Sequence, residues 1–194
     1  RIVVTQINSQ PHILLSMAAK KELGDAHALD TNLVAMANAD GYSALMTGAV
    51  KCNMVLAPYN LMEVKEGNIH EIKVSEDVWP KGDTSIVGIA SEKLNEKNPE
   101  LYNAFCEATK EAMEYIEKNP EETAKILTES YDATQEEIAS WLKNEEAQYK
   151  TEVQGVMKLS QFMVEEGFLD KGPKDIKEIV FDLSLIHISE PTRH

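Results

Sequence analysis

The amino-acid sequence predicts an α/β fold built on a small parallel sheet. Residues 1–5 have the apolar, β-branched character of a strand, and two further short apolar runs occupy 32–37 and 50–57. Helical patterns over 11–23 and 40–47 separate these three runs, and a glycine follows each helical pattern directly. Because strands that alternate with helices pair in parallel through right-handed crossovers, we expect one parallel sheet flanked by helices.

The character of the chain changes after residue 68. Extended apolar runs at 69–74 and 85–90 predict two more strands, separated by a polar segment. Thr134 followed by Glu137 indicates a capping box at the start of a helix. Helices are expected over residues 101–119, 120–130, 134–144 and 153–166. This second region is therefore mainly helical, and its one or two strands do not close a sheet by themselves.

Composition limits the classes of partner. The chain has 194 residues, 43% of them hydrophobic, which suffices for a core. It carries 33 acidic against 19 basic residues, a formal net charge of −14, which argues against nucleic-acid binding. No apolar run approaches the ~18 residues that a membrane crossing needs. Cys52 and Cys106 each lie in an apolar pattern, so we interpret them as buried thiols rather than a disulfide.

The common catalytic motifs are missing from the sequence. There is no glycine-rich phosphate loop, no Gly-x-Ser-x-Gly elbow and no His-Glu-x-x-His pair, and His70-Glu71 lacks the second histidine of a zinc helix. The carboxylates lie among lysines at the spacing of a solvated helix face. The sequence thus predicts no metal and no cofactor, and it gives no support to an enzyme.

A polar cluster stands at the mouth of the first predicted helix. Asn8, Ser9 and Gln10 follow the first strand, and His12 lies just beyond them. The helix that follows a parallel strand begins at the carboxyl edge of the sheet, where ligands bind in open α/β folds. Its free N–H groups and its dipole favour an anion there. The alternative is that Asn8 or Ser9 only caps the helix, and the local sequence leaves both interpretations open.

Pro58 and Tyr59 follow the third predicted strand and so lie at the same edge of the sheet. The tyrosine could offer a ring face and a hydroxyl group to a ligand. A half-buried packing role is the alternative, which an isolated tyrosine does not decide.

Both ends of the chain are unusual. The first residue is Arg1 rather than methionine and is already strand-like, so we expect that sequence before it is missing. Residues 183–194 fit nothing before them and resemble the translation of a widely used sequencing adaptor. We expect an internal fragment of a longer protein whose non-native tail packs against no core.

The order of motifs resembles the substrate-binding proteins of the nitrate/sulfonate/taurine class of ABC importers. The resemblance covers residues 1–182. No single motif is diagnostic, but the ordered series is specific. The series is a strand, then Asn-Ser-x-x-His-x-x-Leu at 8–15, Gly-Asp-x-His-Ala-Leu-Asp at 24–30, Ala-Leu-x-x-Gly at 44–48, Pro-Tyr at 58–59, and the run 84–127.

The resemblance implies a type II periplasmic-binding-protein fold, truncated at its N-terminus, in which two α/β lobes close on a ligand. The implied parts are residues 1–74 as the second lobe, 75–83 as the crossover or hinge, 84–182 as the returning half of the first lobe with the C-terminal helices, and 183–194 as the non-native tail.

The resemblance also implies which residues face the ligand. They are Asn8, Ser9, Gln10 and His12 at the helix mouth, Pro58 and Tyr59 after the third strand, and Thr84. One departure bears on the ligand class. Where many members read Gly-Glu-Val-Asp-Ala, this chain has Gly-Ala-Val-Lys-Cys at 48–52 and so lacks the aspartate.

Three functions are weighed on this basis. The leading hypothesis is a non-enzymatic, monomeric solute-binding component. It would sit in the periplasm or at an extracellular membrane anchor, capture a small anionic or heteroaromatic solute, and deliver it to ABC permease subunits. The alternative is an enzyme on the same scaffold, similar to the thiamin-pyrimidine synthases, which use a cysteine-rich motif, iron and a pyridoxal cofactor. A third option is a sensing domain fused to a regulator, although the sequence contains no DNA-binding or signalling segment.

Overall fold

The computed structural model describes residues 1–145 and 147–181, which pack as two units. The first unit is Arg1–Ser85 together with Lys158–Gly172, and the second is Ile86–Met157 together with the described residues from Pro173 on. Each unit is described by itself. The tail 183–194, which we expect to pack against no core, lies outside the described residues.

The first unit contains the sheet. Its strands are β1 (Ile2–Val4), β2 (Leu33–Ala35) and β3 (Cys52–Met54), in the order β2-β1-β3. Both pairings are parallel, with Val3 opposite Val34 on one side and Asn53 on the other. The predicted parallel three-stranded unit is confirmed, although each strand is shorter than its apolar run.

The helices carry most of the regular structure. They are α1 (Gln10–Leu23), α2 (Asn38–Met46), α3 (Tyr59–Lys65), α4 (Glu92–Lys97), α5 (Pro99–Lys118), α6 (Pro120–Leu127), α7 (Gln135–Leu142) and α8 (Val156–Glu165), with 3-10 turns at Asp30–Asn32 and Ile176–Glu178. The sequence did not predict α3, whereas α4 lies in the region beyond Ser91 that the sequence predicts to be almost wholly helical. Within residues 1–145 and 147–181, no helix combines the length and the apolar character that a membrane crossing requires.

The core of the first unit forms on the apolar face of α1. Ile13, Leu14 and Met17 are buried together with Val78. Phe162 of α8 is among the half-buried side chains that pack against them. The helix therefore holds together segments that are far apart in sequence, and removing its apolar face from water stabilises them jointly.

Helix α1 ends where the sequence predicts. Gly24 adopts the left-handed conformation with φ 80°, and its N–H donates to the carbonyl of Lys20 at 3.0 Å. A residue with a Cβ is disfavoured in this conformation, and glycine is the usual solution just after a helix.

The second unit is helical in its regular parts. Thr134 accepts the N–H of Glu137, whose side chain accepts the N–H of Thr134, so the predicted capping box is confirmed. Helices α6 and α7 pack through a small cluster of Ala124, Ile138 and Ala139. Both cysteines of the chain are free thiols, as expected, but they are half-buried rather than fully buried.

The predicted strands at 69–74 and 85–90 are wrong. In the part of the chain that the structure describes, neither run forms a strand. Ile72 is 87% exposed and Ile89 is 91% exposed, so these apolar side chains have no buried face to pack on. A strand exists only through pairing with a neighbour, and an apolar run does not supply that neighbour.

We expect the glycine that ends α1 to be required for stability. Replacing Gly24 by alanine places a Cβ in the left-handed region and should lower the free energy of unfolding by about 1 kcal/mol. Gly24→Asn should cost less, because asparagine tolerates this conformation. Urea denaturation of both variants measures the difference, and an alanine variant as stable as the parent would contradict the assignment.

Candidate functional site

Two predicted site segments follow neighbouring strands. The turn at 8–10 comes after β1, and Pro58 and Tyr59 come after β3, which pairs directly with β1. The connection after β1 leads to β2 on one side of it, and the next connection leads to β3 on its other side. The crevice at the carboxyl ends of strands with diverging connections is the preferred ligand position in open α/β sheets. The sheet order thus puts these two segments where a ligand site is expected.

The turn after β1 is closed by hydrogen bonds around Ser9. The Ser9 hydroxyl donates to the carbonyl of Gln6 at 2.6 Å and accepts from the Thr5 hydroxyl at 3.2 Å. Asn8 is exposed and adopts the left-handed conformation with φ 63°, which asparagine tolerates better than most residues. The turn therefore has a defined conformation that brings the Asn8 side chain into solvent.

Helix α1 begins without a side-chain cap. Ser9 occupies the cap position with extended backbone angles, but no side chain of the described residues accepts a capping hydrogen bond there. The first N–H groups of a helix have no acceptor within it, and Pro11 has no N–H. The first-turn N–H groups without a helical acceptor are therefore those of Gln10 and His12. The capping alternative that the sequence left open does not hold for the Ser9 hydroxyl, which bonds backward to the turn instead.

His12 is buried beneath this turn, with 2% of its surface exposed. Its Nδ1 accepts the backbone N–H of Asn8 at 3.0 Å, which assigns the ring proton to Nε2. Nε2 in turn lies 3.2 Å from Oδ1 of Asp30 and donates to it. Both ring nitrogens are thus engaged within the protein. Contact of His12 with a ligand stays a prediction, and within the protein its side chain holds the turn.

Asp30 joins His12 to a second histidine. Its other oxygen, Oδ2, lies 2.8 Å from Nδ1 of His27, and Nε2 of His27 lies 2.9 Å from the backbone carbonyl of Glu166. The hydrogen bond to Asp30 is the main cause that raises the pKa of His27. Burial acts to raise the pKa of Asp30, but the hydrogen bonds from the two histidines outweigh it and lower this pKa. An ionised carboxylate between two donors is the result.

The segment after β3 rests on a second buried polar pair. Pro58 precedes α3, and Tyr59 is the half-buried first residue of that helix. Glu63, one turn farther, is only 4% exposed and accepts a hydrogen bond from the Asn53 side chain of β3 at 2.6 Å. This bond ties α3 to the sheet and so positions Tyr59. The pair was not predicted from the sequence, although a polar Asn53 inside an apolar strand was a signal for it.

The surroundings of this pair are tight. A Cβ on Gly41 of α2 would lie 3.0 Å from Val3 and 3.2 Å from the Asn53 side chain, so the helix backbone approaches the sheet directly. Oδ1 of Asn53 is buried and has no hydrogen-bond partner within the described part of the chain. Burial raises the pKa of the Glu63 carboxyl, and the hydrogen bond from Asn53 opposes this shift. Burial likewise raises the pKa of the neighbouring Cys52 thiol.

Thr84 is the most distant of the predicted site residues in sequence. It is half-buried in an irregular segment of the first unit. Its contact with a solute stays a prediction, as it does for the other predicted positions. Among the residues whose positions the structure describes, no group of three or more His, Cys, Asp or Glu side chains is arranged to hold a metal ion.

Comparison with known proteins gives one match. A family model described as the NMT1-like family matches residues 1–129 of this chain. The matched span includes β1 to α6 and every predicted site residue. No curated protein and no solved structure matches the chain.

We expect the buried Glu63 carboxyl to make stability depend on pH. Its pKa is raised above 4.5 in the folded protein, so the folded state binds the proton more tightly than the unfolded state does. Its contribution to the free energy of unfolding is therefore complete below about pH 4.5 and is lost as the pH rises through the raised pKa.

The matched variant is Glu63→Gln, which keeps the shape and the acceptor for Asn53 but does not titrate. Urea denaturation across this pH range should show a fall in stability for the parent that is smaller for the variant. Glu111→Gln removes the same charge from an exposed position of α5 and serves as the control. Identical pH profiles for the parent and Glu63→Gln would contradict the assignment.

Proposed function

The chain belongs to the NMT1-like family, and we propose on that premise that it is a solute-binding protein of the nitrate/sulfonate/taurine class. It binds a small solute at the carboxyl edge of β1 and β3 and acts by binding rather than by catalysis. Membership of this family is consistent with a solute-binding role in general, whereas the transport system and the solute are part of the proposal.

The observation that carries the proposal is the uncapped start of α1. The N–H groups of Gln10 and His12 stand at the edge of the sheet, and the helix dipole adds positive potential there. An anionic group such as a sulfonate, nitrate or carboxylate satisfies these donors. The net charge of −14 does not exclude this, because backbone N–H groups bind an anion through a local field.

The neighbouring side chains complete the wall of the site. The exposed Asn8 side chain offers an amide, and the Ser9 hydroxyl fixes the turn through its bond to Gln6. Tyr59, at the end of the adjacent strand, presents an amphipathic ring to the less polar part of the solute. The imidazole of His12, unlike its backbone N–H, acts from beneath the turn rather than on the solute, because both ring nitrogens are already bonded.

The rest of the proposal concerns the assembly. We place the protein outside the cytoplasmic membrane, where it closes two lobes on the solute and passes it to ABC permease subunits as a monomer. The family match supports this assignment only in general terms. Clustered cysteines, iron dependence or a change in the bound compound would favour the enzyme alternative.

The site is tested by identifying a solute and then removing its contacts. A thermal-shift screen with nitrate, taurine, aromatic carboxylates and pyrimidines selects the ligand, because a compound that binds only the folded state raises its melting temperature. Ser9→Ala should then weaken binding several-fold by loosening the turn. Tyr59→Ala should weaken binding further, because it removes the ring that faces the solute. For scale, loss of one neutral hydrogen bond costs about 1 kcal/mol and loss of a charge-assisted one about 1.5–3 kcal/mol.

Isothermal titration calorimetry measures these affinities. Ser43→Ala in α2 and Tyr115→Ala in α5 are the matched controls, because both parent residues are exposed and lie outside the two site segments. The controls should bind as the parent does. If Ser9→Ala and Tyr59→Ala also bind as tightly as the parent, the solute does not lie at this edge of the sheet.

A further inference from the structure

A continuous chain of hydrogen bonds runs beneath the proposed site. It begins at the Asn8 backbone N–H, passes through His12, Asp30 and His27, and ends at the carbonyl of Glu166. We propose that His12 and Asp30 are positioning residues that hold the Asn8 turn in its binding conformation, and that His27 makes this hold depend on protonation. The inference rests on the proposed function in one respect, namely that the turn contacts the solute.

The first step is the bond between Asn8 and His12. Asn8 has a left-handed backbone conformation, and its N–H donates to the buried Nδ1 of His12. If the turn changed conformation, a buried ring nitrogen would lose its partner, which is costly in a medium of low dielectric. The conformation of the turn and the orientation of the ring are therefore coupled.

The second step fixes the ring from its other side. Asp30 receives Nε2 of His12 on one oxygen and Nδ1 of His27 on the other, so one carboxylate aligns both rings. A hydrogen bond of this kind, on the far nitrogen, decides which tautomer a histidine adopts. Asp30 thus keeps Nδ1 of His12 unprotonated and available to Asn8.

The chain of hydrogen bonds also contacts the segment that follows α8. The Phe168 ring packs against both histidines, with ring centroids 5.4 Å from His12 and 4.9 Å from His27. The same segment supplies the Glu166 carbonyl to His27. An apolar ring beside the buried His12 helps to exclude water there and strengthens the hydrogen bonds of that ring.

The protonation state of His27 is the part of this network that changes with pH. The Glu166 carbonyl and the ionised Asp30 can only accept hydrogen bonds, so His27 satisfies both as an imidazolium. The groups that face it are Asp30 and Asp25 on its own segment, and Glu166, whose carboxylate pairs with Lys20 of α1 at 3.1 Å. The groups that raise the pKa of His27 are therefore acidic side chains and a carbonyl.

The direction of the pH effect follows from these contacts. The pKa of His27 is raised above 6.5, so its contribution is complete below about pH 6.5 and is lost as the pH rises through the raised value. The neutral ring leaves one acceptor facing a lone pair. The single remaining proton favours the ionised Asp30, so the Glu166 carbonyl loses its donor. The bond to Asp30 also loses the positive charge of the imidazolium, which weakens the alignment of His12 and the Asn8 turn.

Two variants of His12 separate positioning from mere packing. The side-chain oxygen of His12→Asn occupies the place of Nδ1 and still accepts from Asn8, whereas His12→Gln reaches Asp30 but leaves Asn8 without its acceptor. In the 194-residue chain, hydrogen-exchange NMR should show the Asn8 amide protected in the parent and in His12→Asn, and several-fold less protected in His12→Gln. Equal loss of melting temperature with unchanged Asn8 protection in both variants would reduce His12 to a packing residue and overturn the proposal.

The unmutated protein gives a test that does not depend on how the variants fold. Nitrogen-15 NMR of the histidine rings should show His12 as the Nε2–H tautomer and His27 as the imidazolium at about pH 6. The Asn8 protection factor should fall several-fold toward about pH 8.5. An Nδ1-protonated His12, or an Asn8 protection factor that does not change with pH, would refute the proposal.

His27→Gln removes the titrating group and should abolish the pH dependence of Asn8 protection. His70→Gln, which removes an exposed histidine elsewhere, should keep it. Calorimetric titration with taurine as the probe should show a parent affinity that falls several-fold over the same pH range and a His27→Gln affinity that does not. If taurine binds with an affinity that ignores His27 and pH, the coupling to the site is wrong. If no compound of the screen binds, the proposed function fails, and the exchange and tautomer measurements still decide the positioning roles because they require no solute.

Discussion

The parallel pairing of β1 with both of its neighbours is the constraint on which the first unit depends. β1 lies between β2 and β3, and Val3 and Val4 are buried at the centre of the sheet. Because all three strands run in the same direction, the segments that follow them emerge at one edge. The ladders are only three residues long, so the apolar face of α1 must supply much of the stabilisation that keeps them together.

Two buried polar side chains fix the segments that follow β1 and β3 at the edge of the sheet. His12 lies beneath the turn after β1, and Glu63 lies beneath the helix after β3. Each is nearly inaccessible to water. His12 is hydrogen-bonded to Asp30, which is distant in sequence, and Glu63 is hydrogen-bonded to Asn53 of the sheet. A buried polar group must keep its partner, so these bonds restrict the conformations of the two segments more sharply than apolar packing alone would.

The family match and the geometry support the proposal from different directions. The NMT1-like match spans the sheet and both edge segments, while the local arrangement identifies what the edge can recognise. The free N–H groups at the start of α1 provide an anion with directed donors within a protein of net charge −14. The acidic surface repels anions in general, so an anion that binds must be held by these local donors.

The sequence by itself determined the features whose physical causes lie within one or two turns of chain. The alternation of strands and helices over residues 1–54, the end of α1 at Gly24 and the capping box at Thr134 were predicted correctly, because their signals are local. Only the tertiary structure decided that the runs at 69–74 and 85–90 form no strand, since pairing requires a neighbour that the run itself does not specify. The role of His12 was equally hidden, because the partner that fixes its ring, Asp30, lies 18 residues away along the chain. Burial and distant partners, rather than residue type, decide what such a side chain does.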